Sequence, residues 1–153
     1  MNSSAEKILY RKAALIFEEL GFLMPRSDNT ELSQADRVSA AVSFSGPFSG
    51  CLIVSVAPEM LSQLTANMLG DEAQSNELME RDSLGEIANV ICGNGLPAIY
   101  GFDPVFHLEA PAMLDDVPAL INSDKYKIEA EVRISFDSGN AALVLLIDNH
   151  SPA

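Results

Sequence analysis

Lys127-Ile128-Glu129-Ala130-Glu131-Val132-Arg133-Ile134-Ser135-Phe136 alternates apolar with mostly polar side chains along its whole length. A period of two marks a strand with one dry face and one wet face. Asp137-Ser138-Gly139-Asn140 supplies turn residues, and Ala141 to Ile147 returns as a second strand. The stretch reads as an antiparallel hairpin with Ile128, Ala130, Val132, Ile134 and Phe136 facing inward. A sheet that is dry on one face needs a second layer to cover it, so the remaining chain must supply helices.

It does. Residues 4–21 place Ile8, Leu9, Ala13, Ile16 and Leu20 at helical spacing, with Ser3 or Ser4 as cap and Gly21 as stop. Beyond the polar loop 26–36, Val38, Ala40, Val42 and Phe44 alternate, Ser45-Gly46-Pro47-Phe48 turns, and Gly50 to Val56 returns. Cys51-Leu52-Ile53-Val54 is continuously apolar, which predicts a central strand. Pro58 opens a helix that ends near Gly70. After a polar connection at 71–76, a longer helix is predicted from about Glu77 to about Gly95. Pro97 lacks a donor for the Gly93 carbonyl and should kink or end it. Val105, Phe106, Leu108 and Ala110 predict a further strand closed by Pro111, and 113–125 reads as a loop. The expectation is one α+β domain over residues 1–153, an antiparallel-rich sheet covered by helices in the order α-ββ-αα-βββ.

The formal charge of −13 on 153 residues counts against nucleic acid and against an anionic membrane surface, since either needs a Lys/Arg footprint. No apolar run approaches the roughly 18–20 residues of a membrane span. The first residues lack the charged-then-apolar pattern of a secretion signal, so a cytoplasmic location is expected. Cys51 and Cys92 stand far apart and read as buried small hydrophobes. Neither His107 nor His150 has ligands at metal spacing around it, so no metal site is expected.

The long helix carries the chemistry. In Asp82-Ser83-Leu84-Gly85-Glu86-Ile87-Ala88-Asn89-Val90-Ile91-Cys92-Gly93-Asn94, the residues Leu84, Ile87, Ala88 and Ile91 fall on one face. Asp82, Glu86, Asn89 and Gly93 fall on the opposite side, at helical spacing. A glycine inside a helix costs about 1 kcal/mol against alanine, and close approach of another backbone at Gly93 is one candidate to offset that.

Asp82-x3-Glu86-x2-Asn89, followed by Gly93-Asn94 and a later Pro111, resembles the signature of the CheC/CheX/FliY-type phosphatases of bacterial chemotaxis. The early hairpin with Gly46 and Gly50, and the helix ending Met68-Leu69-Gly70, are similar to that family as well. A single motif in a short chain is more like CheX than like two-motif CheC. The resemblance implies a CheC/CheX-like fold and a substrate, the aspartyl phosphate of a CheY-like receiver domain. It implies that Asn89 orients the attacking water and that Glu86 pairs with a receiver lysine. Asp82 fits the family's small polar position near the helix start and, with Gly93, is assigned to the partner contact. Mg²⁺ would belong to the receiver, and the chain would need no cofactor of its own. A homodimer formed by sheet edges is implied too. The alternative is a non-catalytic module that binds a receiver, as parts of the flagellar switch share this fold.

Overall fold

Ser3 starts the first helix through a reciprocal pair of hydrogen bonds. Its hydroxyl accepts from the Glu6 N–H at 3.1 Å, and its own N–H donates to Glu6 Oε1 at 2.9 Å. The helix they open, α1, spans Ser4–Gly21, and Phe22 closes it in the left-handed conformation. The structure is a computed structural model that describes residues 3–26, 37–70 and 76–149. Most of the loop read at 26–36, most of the connection read at 71–76, and His150 lie outside the described residues.

The two predicted hairpins form and join. β1 (Val38–Ser45) pairs with β2 (Gly50–Val56), β2 with β6 (Gly139–Asp148), and β6 with β5 (Tyr126–Phe136), all antiparallel. β2 is therefore central and buried along its length, as its apolar run requires. Ala40, Val42 and Phe44 of β1 point into the main core, against α1, α2 (Pro58–Leu69) and α3 (Glu77–Tyr100). The fold class is the expected α+β layer of an antiparallel sheet covered by helices.

Four details differ from the sequence reading. First, α3 runs through Pro97 to Tyr100 instead of stopping near Gly95. Leu96 is buried in the core, and the Tyr100 ring meets the Phe48 ring at 4.8 Å edge-on, inside a cluster with Phe44 and Phe106. That packing offsets the missing hydrogen bond. Second, the strand expected at 105–110 is replaced by two short pieces, β3 (His107–Leu108) and β4 (Ala112–Met113). Both pair with the outer edge of β1, and Pro111 lies in the gap, where it need not donate to the ladder. Third, the loop read at 113–125 contains a short helix, α4 (Val117–Ile121), capped by Asp116. Fourth, a bulge in β5 between Ile128 and Ala130 shifts the register. It turns Ile128 away from the face of Ala130, Val132, Ile134 and Phe136, and leaves it 48% exposed.

On the sheet face away from α1–α3, Cys51, Ile53, Val144 and Leu146 make a smaller core under Leu114, Val117, Leu120 and Ile121. Arg37 ties this end together. It donates to the Asn140 side chain at 3.1 Å and to the carbonyls of Ser55 (2.9 Å) and Asn140 (3.1 Å). Burial lowers its pKa, with the Arg133 charge adding to the shift. The free edge of β5 is partly closed by its own chain. Glu131 N–H donates to Glu6 Oε2 at 3.0 Å, and Arg26 N–H donates to the Ser135 carbonyl at 2.7 Å. These contacts occupy the edge at Glu131 and Ser135.

Candidate functional site

α3 is held at its start by Asn76, whose side chain accepts from the Met79 N–H at 2.9 Å. Glu77 and Glu80 sit in the first turn, where carboxylates complement the helix dipole. Arg81 reaches back one turn to Glu77 at 2.6 Å. Asp82 is thus inside the helix and does not cap it. The inner face packs Leu84, Ile87, Ala88, Ile91 and Cys92 against the sheet and the neighbouring helices, each with 2% exposure or less. Burial pushes the Cys92 thiol up to about 12, with Cys51 adding to the shift. Burial raises the Cys51 thiol as well. Both cysteines are free and buried.

The outer strip is as the spacing predicted, with one refinement. Asp82, Glu86 and Gly93 are exposed, while Asn89 is half-buried. Among the described residues, the side chains of Asp82, Glu86 and Asn89 make no hydrogen bond or ion pair. The neighbouring Asn94, by contrast, turns its amide back onto the Val90 carbonyl at 2.8 Å. The carboxylate of Glu86 and the carboxamide of Asn89 are therefore free to meet another molecule from adjacent turns of one rigid helix. A Cβ added at Gly93 would meet only Leu108, at 3.9 Å, so the helix surface there is open to close approach.

Pro111 comes to this strip from the other side. A Cβ on Gly85 would lie 3.2 Å from the Pro111 Cβ, so the glycine lets the β3–β4 segment settle against α3 next to Glu86. A shallow groove of about 460 Å³ results, lined by Leu78, Arg81, Asp82, Glu86, Pro111 and Met113. Leu78 and Met113 were not singled out from the sequence. For Leu78 the signal was present. It precedes Asp82 by four residues and so continues the stripe of Asp82, Glu86, Asn89 and Gly93. No cluster of three or more His, Cys, Asp or Glu placed to hold a metal occurs among the described residues, and no helix there is long and apolar enough to cross a membrane.

This topology, a two-hairpin antiparallel sheet under three helices, is that of the CheC/CheX class of chemotaxis proteins. Over 95% of the chain it superposes on all of the chemotaxis protein CheX from Desulfovibrio desulfuricans, at a TM-score of 0.76 and 16% identity. It is similar at TM-score 0.72 and 16% identity to a chain of the CheX–CheY–BeF3–Mg²⁺ complex from Borrelia burgdorferi, covering 94% of this chain and 97% of that one. A more distant likeness is the FliM middle domain of Vibrio alginolyticus, at TM-score 0.61 and 9% identity, covering 96% and 92%. No curated protein sequence matches at a significant level. The sequence profile of the family described as chemotaxis phosphatase CheX matches residues 38–137, well over half the chain, and the protein belongs to that family.

Proposed function

We propose that this protein hydrolyses the aspartyl phosphate of a CheY-like response-regulator receiver, with Asn89 and Glu86 as its working side chains. The observation that carries the reading is that both are free of partners among the described residues, one turn apart, on the strip opposite the buried face of α3. In such a reaction water attacks phosphorus, the bond to the receiver's aspartyl oxygen breaks, and the aspartate leaves as a carboxylate. Both protons of the water remain on the phosphate product. The protein needs to place the water in line and stabilise charge, and forms no covalent bond. The Asn89 carboxamide is suited to the first task. Its carbonyl accepts from water, its NH₂ donates to a phosphoryl oxygen, and it carries no charge to repel the phosphate. Glu86 pairs with a receiver lysine and fixes the dock, while Asp82 and Gly93 border it. The Mg²⁺ that balances the phosphoryl charge sits in the receiver. The CheX–CheY assembly of the Borrelia relative, which holds BeF3 and Mg²⁺, is consistent with this division of labour.

The rival reading, a receiver-binding module without turnover, draws on the likeness to the FliM middle domain. Release of inorganic phosphate from phosphorylated CheY-like receivers of the same organism separates the two. The phosphatase reading expects release to be catalytic, with one protein molecule turning over many receivers, and to survive a zinc-specific chelator while Mg²⁺ is maintained. Binding of the receiver with no gain in release would establish the module instead.

A further inference from the structure

Resting on the phosphatase reading, we propose that the groove between the first turns of α3 and the β4 segment is a second docking pocket for the receiver. It takes one basic side chain, and so sets which receiver binds. Its walls are Leu78, which is 68% exposed, with Pro111 and Met113 opposite, and its rim carries the carboxylates of Asp82 and Glu86. A leucine so exposed on the polar stripe of a helix has no role in the core. It does offer a surface for the methylenes of a long side chain. Lysine and arginine bury such stems along apolar walls while the charged end stays at a polar rim.

The charges at the rim fit that occupant. Asp82 and Glu86 are like charges four residues apart on a helix, a destabilising arrangement that is relieved by a cation between or beside them. Neither has a partner among the described residues. The other charged residue lining the groove, Arg81, is paired with Glu77 at 2.6 Å. Nearby, Glu80 accepts from the Ser62 hydroxyl at 3.0 Å. With Glu86 taking one receiver lysine, Asp82 remains for a second basic residue one helical turn away. The tight seat of Pro111 on Gly85 gives the far wall a fixed position, so the pocket exists before docking.

The test is affinity for CheY-like receivers loaded with beryllofluoride and Mg²⁺, measured on the full chain by titration calorimetry. Leu78→Ala and Asp82→Asn should each weaken binding about tenfold, and Asp82→Lys about a hundredfold or more, in the range of lost interface anchors and charge pairs. In the phosphatase assay the first two should appear as a raised KM with kcat little changed. Glu59→Gln on α2, which removes the same charge elsewhere, should have no effect. One surface lysine or arginine of the receiver, changed to alanine, should cost no further affinity once Asp82 is asparagine. Loss of binding in Leu78→Ala but not in Asp82→Asn would mean an apolar occupant and overturn the proposal, as would wild-type affinity in both. A wild-type chain that binds the loaded receiver without speeding phosphate loss would sink the phosphatase reading alone. A chain that binds no receiver would sink both.

Discussion

The two faces of α3 solve different problems with the same backbone. One face places Leu84, Ile87, Ala88 and Ile91 in the core at zero exposure. The other places Asp82, Glu86 and Asn89 where none of the described residues satisfies them. Side chains on the first face are held in place by their neighbours. Those on the second have only the rigidity of the helix behind them, and a helix anchored along one face is a precise way to aim a free carboxamide. The contrast teaches that stability and activity should separate cleanly along this element, and it can be broken experimentally.

The largest effect belongs to the buried face. Ile87→Ala should cost about 2–5 kcal/mol, because it removes a fully buried side chain and leaves a cavity. The urea midpoint of unfolding measures it. Gly85→Ala tests the border between the faces. The added methyl gains about 1 kcal/mol of helix propensity but meets Pro111 at 3.2 Å, so stability should shift by less than about 1 kcal/mol either way. Receiver affinity should nevertheless fall, since Pro111 must move. Asn89→Ala should alter stability by no more than about 0.5 kcal/mol, as expected for a side chain with no hydrogen-bond partner among the described residues. A large drop in its melting temperature would show that Asn89 belongs to the core and not to the strip.

The thiols sharpen the same contrast. Burial pushes the Cys92 thiol up to about 12, so its thiolate is scarce at pH 8, and both cysteines are buried. A thiol reagent at that pH should label neither until the protein unfolds. Smallest is the contribution of Glu6. The backbone N–H groups of Ser3 and Glu131 donate to it and hold its carboxyl below the ordinary 4.5. A lowered folded-state pKa stabilises above the unfolded value, and that stabilisation is lost as pH falls through the folded one. The melting temperatures of wild type and Glu6→Gln should therefore differ at neutral pH and converge as the pH drops below 4.5.

The stripe of α3 was legible in the sequence because a helical face is a local property. Asp82, Glu86, Asn89 and Gly93 fall together by spacing alone, and the structure leaves them on the outer side. Both hairpins were legible for the same reason, since alternation and turn residues are read within a few positions. Ile128 was misplaced because nothing in the local pattern signals the bulge that turns it to the other face. Pro97 misled because helix-breaking chemistry is local, whereas the contacts of Leu96 and Tyr100 that override it come from distant parts of the chain. The cap of α4 was present in the sequence, with Asp116 accepting from the Ala119 N–H and Pro118 in the first turn. Its short length hid it among loop residues. The groove could not be read at all, because its far wall, Pro111 and Met113, is brought to Gly85 by the pairing of β4 with β1.

The central claim is that Asn89 acts on the chemistry and not on the dock or the fold. The most direct test is the decay of a phosphorylated CheY-like receiver with wild type or Asn89→Ala in saturating excess, where differences in affinity no longer matter. Wild type should speed the decay, and Asn89→Ala, bound and folded, should leave it at the receiver's own rate. Decay with Asn89→Ala as fast as with wild type would contradict it.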